Sequence, residues 1–148
     1  MNTTMHRTPH RQGLCYVARS EIDSLLARRG DAPALLRRRM RVVLDTADSI
    51  ERFAPWPALE QSLRADAERL RVAAGLPREP ESERIDAAIV GAVRAGVHPL
   101  LDRAALSAAA AQAARTGRTR ERVISLHLDT LRQLGRIAYV AKRWEIRS

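Results

Sequence analysis

A single cysteine, Cys15, stands in the 148-residue chain, which excludes an intrachain disulfide and any cysteine-based zinc site built from one copy. A reducing compartment suits such a sequence. The opening stretch MNTTMHRTPHRQG lacks the apolar core of a secretory signal, and no run approaches the roughly 20 apolar residues of a membrane span, so a cytoplasmic protein is expected. Aromatic residues make up only 3%, so the core must come from Leu, Val, Ile and Ala, and few rings are on hand to stack on unpaired bases. Also missing are a Gly-rich phosphate loop, an HExxH pair and a Ser/His/Asp spacing. The expectation is a non-enzymatic protein with no catalytic residue, no metal site and no cofactor.

What is abundant points to helices. Hydrophobic residues at 45% suffice for a core in one domain of this length. Plentiful Ala with scattered Leu and Arg favours helix over strand, and no segment reads as a strand. The predicted class is all-α, an antiparallel helical bundle. A formal charge of +9 and a pI near 11.3 call for an acidic partner, whether nucleic acid, an anionic membrane surface or a protein. The same charge also arises without function where codon usage raises Arg and Ala together, and Lys142 is the only lysine.

Residues 1–13 read as a flexible basic tail. His6 and His10 are four apart, but Pro9 disfavours the helix that would let them share a metal. Residues 14–148 read as one bundle with a linker near 76–81. Its first helix covers 14–29, with Ser20 as cap. A second, capped by Asp31, runs to about Phe53 with Leu36, Met40, Val43, Ala47 and Ile50 alternating four and three apart. Arg37, Arg38, Arg39 and Arg41 form the densest basic cluster on it. Successive helical residues point in different directions, so the four cannot all face one ligand; a solvated face and a phosphate contact through Arg37, Arg38 and Arg41 are the two readings.

The APWP stretch at 54–57 breaks that helix, and Trp56 should plug the end of a helical hairpin. Pro57 opens a third helix with Leu59, Leu63, Ala67 and Leu70 inward, closed by Gly75. After the LPREPE linker, Ser82 is expected to cap a helix with Ile85, Ile89 and Val93 inward. GVHP at 96–99 interrupts it, with His98 in a loop, and Leu100, Leu101, Ala104, Ala105 and Ala108 should resume an Ala-rich face.

The final helix is expected to run from Thr119, its cap, to Trp144. Ile124, Leu128, Leu131, Leu134, Ala138 and Ala141 would form one apolar side of a spine roughly 38 Å long. His127 falls at the edge of that side, where a hydrogen-bonded structural role suits it. Asp129, two residues on, diverges from His127 and can instead meet Arg132. Asp86 and Asp102 stand isolated on other segments.

Within this stretch Ser125, Leu126, His127, Leu128 and Asp129, followed by Leu131, Arg132, Leu134, Arg136 and Ile137, resemble the terminal helix of the PhoU-like helical domain at the cytoplasmic end of Na/Pi cotransporter family proteins. The resemblance covers about one helix. It implies long antiparallel helices and a regulatory role in phosphate uptake, exerted through a protein partner. Metal-binding members of that family use repeated acidic motifs such as Glu-Arg-Ile-Gly-Asp; here Gly135, Arg136, Ile137, Ala138 and Tyr139 stand in that place, so a carboxylate-lined metal site is not implied. Two other readings stand beside it. One is a basic nucleic-acid-associated protein; the other is a homo-oligomeric scaffold pairing through Leu36 to Ile50. The residues open to binding are Arg37, Arg38, Arg41, His127, Asp129, Arg132 and Arg136.

Overall fold

The structure, a computed structural model, describes Ser24, Ala27 and residues 33–147. The basic tail, Cys15, the 6/10 histidine pair, the Ser20 and Asp31 caps and most of the 14–29 helix lie outside the described residues. What is described is mostly helical: α1 (Pro33–Phe53), α2 (Pro57–Ala73), α3 (Pro80–Arg94), a 3-10 turn (Pro99–Leu101), α4 (Arg103–Thr116) and α5 (Arg120–Gln133), then strands β1 (Ile137–Val140) and β2 (Arg143–Ile146). The chain divides between Pro77 and Arg78 into two compact units. No described helix is long and apolar enough to cross a membrane.

In the first unit, α1 and α2 form a hairpin, as their spacing predicts. Leu36, Val43, Ala47 and Ile50 of α1 bury against Leu59, Leu63, Ala67 and Leu70 of α2, and Trp56 packs partly buried at this core. Full burial of each Leu, Val or Ile contributes about 1.5 to 3 kcal/mol, which is what holds two short helices together. Arg64 of α2 adds a polar tie, reaching Asp48 at 3.0 Å and Glu51 at 3.3 Å on α1 while holding Glu60 on its own helix at 2.8 Å.

The second unit packs α3, α4 and α5 around Ile85, Ile89, Val93, Ala105, Ala109, Ala113, Ile124, Leu128 and Leu131. Two expectations need correction here. Helix α3 starts at Pro80 rather than after Ser82, because proline suits the first helical position, where the missing N–H has no partner to lose. The inward face of α4 is Ala105, Ala109 and Ala113, whereas Leu101 is 80% exposed and Ala104 and Ala108 fall outside the fully buried seam. Asp102 resets the register: its carboxylate accepts the Ala105 N–H at 2.8 Å and starts a fresh helix. The all-alanine seam lets α4 approach its neighbours closely. His98 is a loop residue whose Nδ1 accepts the Leu100 N–H at 3.1 Å.

The largest correction concerns the chain's end. Thr119 does cap α5, accepting the Arg122 N–H at 3.0 Å, but the helix stops at Gln133 instead of running to Trp144. Gly135, at φ 74°, takes the left-handed conformation that lets its N–H bond Arg132 O at 3.0 Å and the Arg136 N–H bond Leu131 O at 3.0 Å, which closes the helix. The chain then reverses as an antiparallel hairpin pairing Ile137 with Ile146 and Val140 with Arg143. Its two-residue loop, Ala141 and Lys142, has φ of 51° and 66°, the twist such loops require but residues other than glycine adopt at a cost. Ile137 is buried in the core, Trp144 packs partly buried against it, and Trp144 meets Tyr139 across the strands with ring centroids 5.0 Å apart. The hairpin is thus anchored by one face. Ala138 and Ala141 continue the helical spacing of α5 in sequence only, and Ala141 is exposed.

Candidate functional site

Asp86 on α3, Gln112 on α4 and His127 on α5 converge inside the second unit, and Arg78 reaches them from the residues before α3. The Arg78 guanidinium forks onto the Asp86 carboxylate, Nε to Oδ2 and Nη2 to Oδ1, each at 3.1 Å. His127 Nδ1 lies 2.9 Å from the same Oδ1 and 3.0 Å from Arg78 Nη2. A carboxylate only accepts, so Nδ1 carries the proton it shares with Oδ1; the two nitrogens are close because both donate to one oxygen. His127 Nε2 is 3.0 Å from Gln112 Oε1. An amide can offer its oxygen to a protonated Nε2 or, turned over, its N–H to a bare one. Gln112 therefore completes the ring's hydrogen bonding in either charge state.

Asp86 is 1% exposed and His127 5%. Burial pushes the Asp86 carboxyl up, but hydrogen bonds from His127 and Arg78 and the charge of Arg78 outweigh it and hold the group below the ordinary carboxylate value. The second ring nitrogen of His127 faces an amide rather than a hydroxyl or thiol. The arrangement fastens α5 to α3 and α4, and as a buried network with its members paired it fixes one packing of the three helices.

The other side of α5 is different in kind. At about 100° per residue, Arg122, Ser125, Asp129 and Arg132 form a row opposite His127, and all four are partly or fully exposed. Charge is unevenly spread around it. Residues 80–116 balance Arg84, Arg94, Arg103 and Arg115 against Glu81, Glu83, Asp86 and Asp102. Residues 117–147 set eight cations, Arg118, Arg120, Arg122, Arg132, Arg136, Lys142, Arg143 and Arg147, against only Glu121, Asp129 and Glu145. The net charge of the second unit thus sits on α5 and the hairpin. Lys142 occupies the exposed hairpin tip with Arg143 exposed beside it, and Arg147 is exposed at the hairpin's other end, its N–H donating to Arg136 O at 2.8 Å.

The residues singled out from sequence do not form one site. Arg37, Arg38, Arg39 and Arg41 are all exposed on α1 in the first unit. His127 points inward; Asp129 and Arg132 lie outward, 3.6 Å apart as an ion pair; Arg136 is exposed in the turn before β1. Asp86, read as isolated, is instead the centre of the buried network. Its signal was legible: on α3 it falls in the same angular sector as Ile85, Ile89 and Val93, and an acid inside an apolar stripe demands a buried partner. Arg78 and Gln112 carried no such mark. The cations of the hairpin were hidden because the stretch scans as helix. Among the described residues no group of three or more His, Cys, Asp or Glu could hold a metal ion. Comparisons of the chain with protein-family models, curated proteins and solved structures find no match.

Proposed function

We propose that the second unit binds double-stranded DNA, with α5 presented to the major groove and the β-hairpin lying along the adjacent backbone, and that the protein acts by binding rather than by catalysis. The observation that carries this reading is the segregation of eight cations against three acids on 117–147, which is one helix and one hairpin, while 80–116 is neutral. The local order supports it. Helix α4, a three-residue turn (Gly117 at φ 71°, Arg118, Thr119) and α5 follow one another in the order of a helix-turn-helix, in which the second helix lies in the major groove. Arg118, Arg120 and Arg122 sit at the start of α5, where they can meet the DNA backbone. The outward row from Arg122 to Arg132 rises roughly 15 Å, enough to cross a groove about 12 Å wide.

Duplex DNA fits better than other nucleic acids. This unit has two described aromatic rings, of which Trp144 packs partly buried against the core and Tyr139 is exposed, a single open ring where a single-strand platform uses a series of them. Duplex RNA closes its major groove to a helix. The role beside a phosphate transporter implied by the family resemblance draws only on matched residues between Ser125 and Ile137, of which Ile137 stands in β1. Titration of the full chain with a short DNA duplex at several salt concentrations tests the proposal. Affinity should fall steeply with salt as counterions are released; no binding at low salt overturns it.

A further inference from the structure

On the outward row of α5 one residue opposes the charge of the rest. Asp129 stands between Arg122, Ser125 and Arg132, its side chain 37% exposed. A carboxylate in the middle of a surface that meets phosphates weakens attraction to every duplex alike. It is compensated only where it accepts a hydrogen bond, and in the major groove the donor matched to an Asp or Glu is the N4 amine of cytosine. Arg132, on the same row and 3.6 Å from Asp129, carries the fork that matches the O6 and N7 of guanine. Three residues rise roughly 4.5 Å along a helix, close to the ~3.4 Å step between base pairs, so the two side chains reach neighbouring pairs.

We infer that Asp129 is a specificity-determining residue, which makes α5 select duplex DNA carrying a cytosine at the position it faces and, through Arg132, a guanine at the neighbouring one. In the unbound protein the two side chains face one another as an exposed ion pair at 3.6 Å, which is weak enough to open. On the right sequence each exchanges that partner for a base edge. On a wrong sequence Asp129 faces an acceptor or a methyl group, and the complex is penalised. The inference rests on the DNA reading above.

Selection of duplexes from a random-sequence DNA pool by the full chain and by Asp129→Ala, Asp129→Asn and Arg132→Ala tests it. All three substitutions are on the surface, and thermal melts verify that each variant folds. The wild-type protein should enrich a cytosine at one position with a preference of about 10-fold, the size of one good base contact. Asp129→Ala should lose that preference while binding unselected duplex at least as tightly as wild type, and Arg132→Ala should lose the neighbouring guanine. Enrichment of the same sequences by Asp129→Ala and wild type overturns the inference, as does a wild-type protein that retains all sequences equally; the latter leaves DNA binding standing. Failure of the DNA reading itself looks different, because the wild-type protein then retains no duplex at all.

Discussion

The two units tie their buried acids in different ways. In the α1–α2 hairpin each buried acid is held by an arginine of its own helix: Arg64 holds Glu60 and also reaches Asp48 and Glu51 on α1, Arg69 meets the buried Asp66, and Arg71 meets Glu68. In the second unit the strongest polar network is inside, at Asp86, His127, Arg78 and Gln112, and the cations of 117–147 stand outside with few acids near them in sequence. The first unit also carries excess charge, at the exposed Arg37, Arg38, Arg39 and Arg41 of α1. On the second unit the cations of 117–147 outnumber the acids eight to three, which is the observation the DNA proposal draws on.

The sharpest way to separate the two arrangements is to remove their central residues. Asp86→Ala leaves the buried His127 and the half-buried Arg78 without their acceptor and should cost about 3 to 5 kcal/mol, whereas Arg64→Ala, two of whose partners are partly in water, should cost about 1 kcal/mol. Denaturant unfolding of each variant measures this, and equal losses would break the comparison. Next come the cores, where the units should behave alike: Leu70→Ala in the first and Leu131→Ala in the second should each cost about 2 to 5 kcal/mol. Arg132→Ala, one residue beyond Leu131 but exposed, should change the melting temperature little.

A pH series sharpens the same contrast. The Asp86 carboxyl is held below its ordinary value, so the stability it contributes is present above the unfolded-state value of about 3.9 and is lost as pH falls through the lower folded-state value. The unfolding midpoints of wild type and Asp86→Asn should therefore differ most near neutral pH and converge below about pH 4. A gap that stays constant into acid would rule out the network as the source of that stability. The smallest effect concerns the hairpin. Lys142→Gly relieves a left-handed residue that costs about 1 to 2 kcal/mol, less the 0.5 to 1 kcal/mol of backbone freedom that glycine gives up, so a gain of about 0.5 to 1 kcal/mol is expected in thermal unfolding.

Most of the helical order is legible in the residues alone. The inward positions of α1, α2 and α3 follow from apolar spacing, and the breaks follow from Pro57, which suits a helix start, and from Gly75 and Gly96, which take the left-handed conformation after a helix end. The helix end at Gln133 escapes that reading for a physical reason. Ala138 and Ala141 happen to keep the period of Leu131 and Leu134, and alanine is the strongest helix former, so the stretch scans as a continued helix. Two signals point the other way: Gly135 after Leu134, and IAYV and RWEI, rich in branched and aromatic residues, flanking two residues. The loop residues at positive φ are not glycines and give no hint of the hairpin turn. At the site, the Asp129–Arg132 pair follows from local spacing, but the Asp86–His127 contact joins residues 41 apart and depends on how α3 packs on α5. Only the misplaced polarity of Asp86 within its apolar stripe could have announced it.

Whether 117–147 carries the charge that matters and 37–41 does not comes down to the salt dependence of duplex DNA binding for two triple variants of the full chain. Arg120, Lys142 and Arg143 changed to Ala should reduce the slope of log affinity against log salt by about 0.9 for each phosphate no longer neutralised. Arg37, Arg38 and Arg41 changed to Ala should leave the slope at the wild-type value. A slope that falls for the second triple and holds for the first would contradict this assignment.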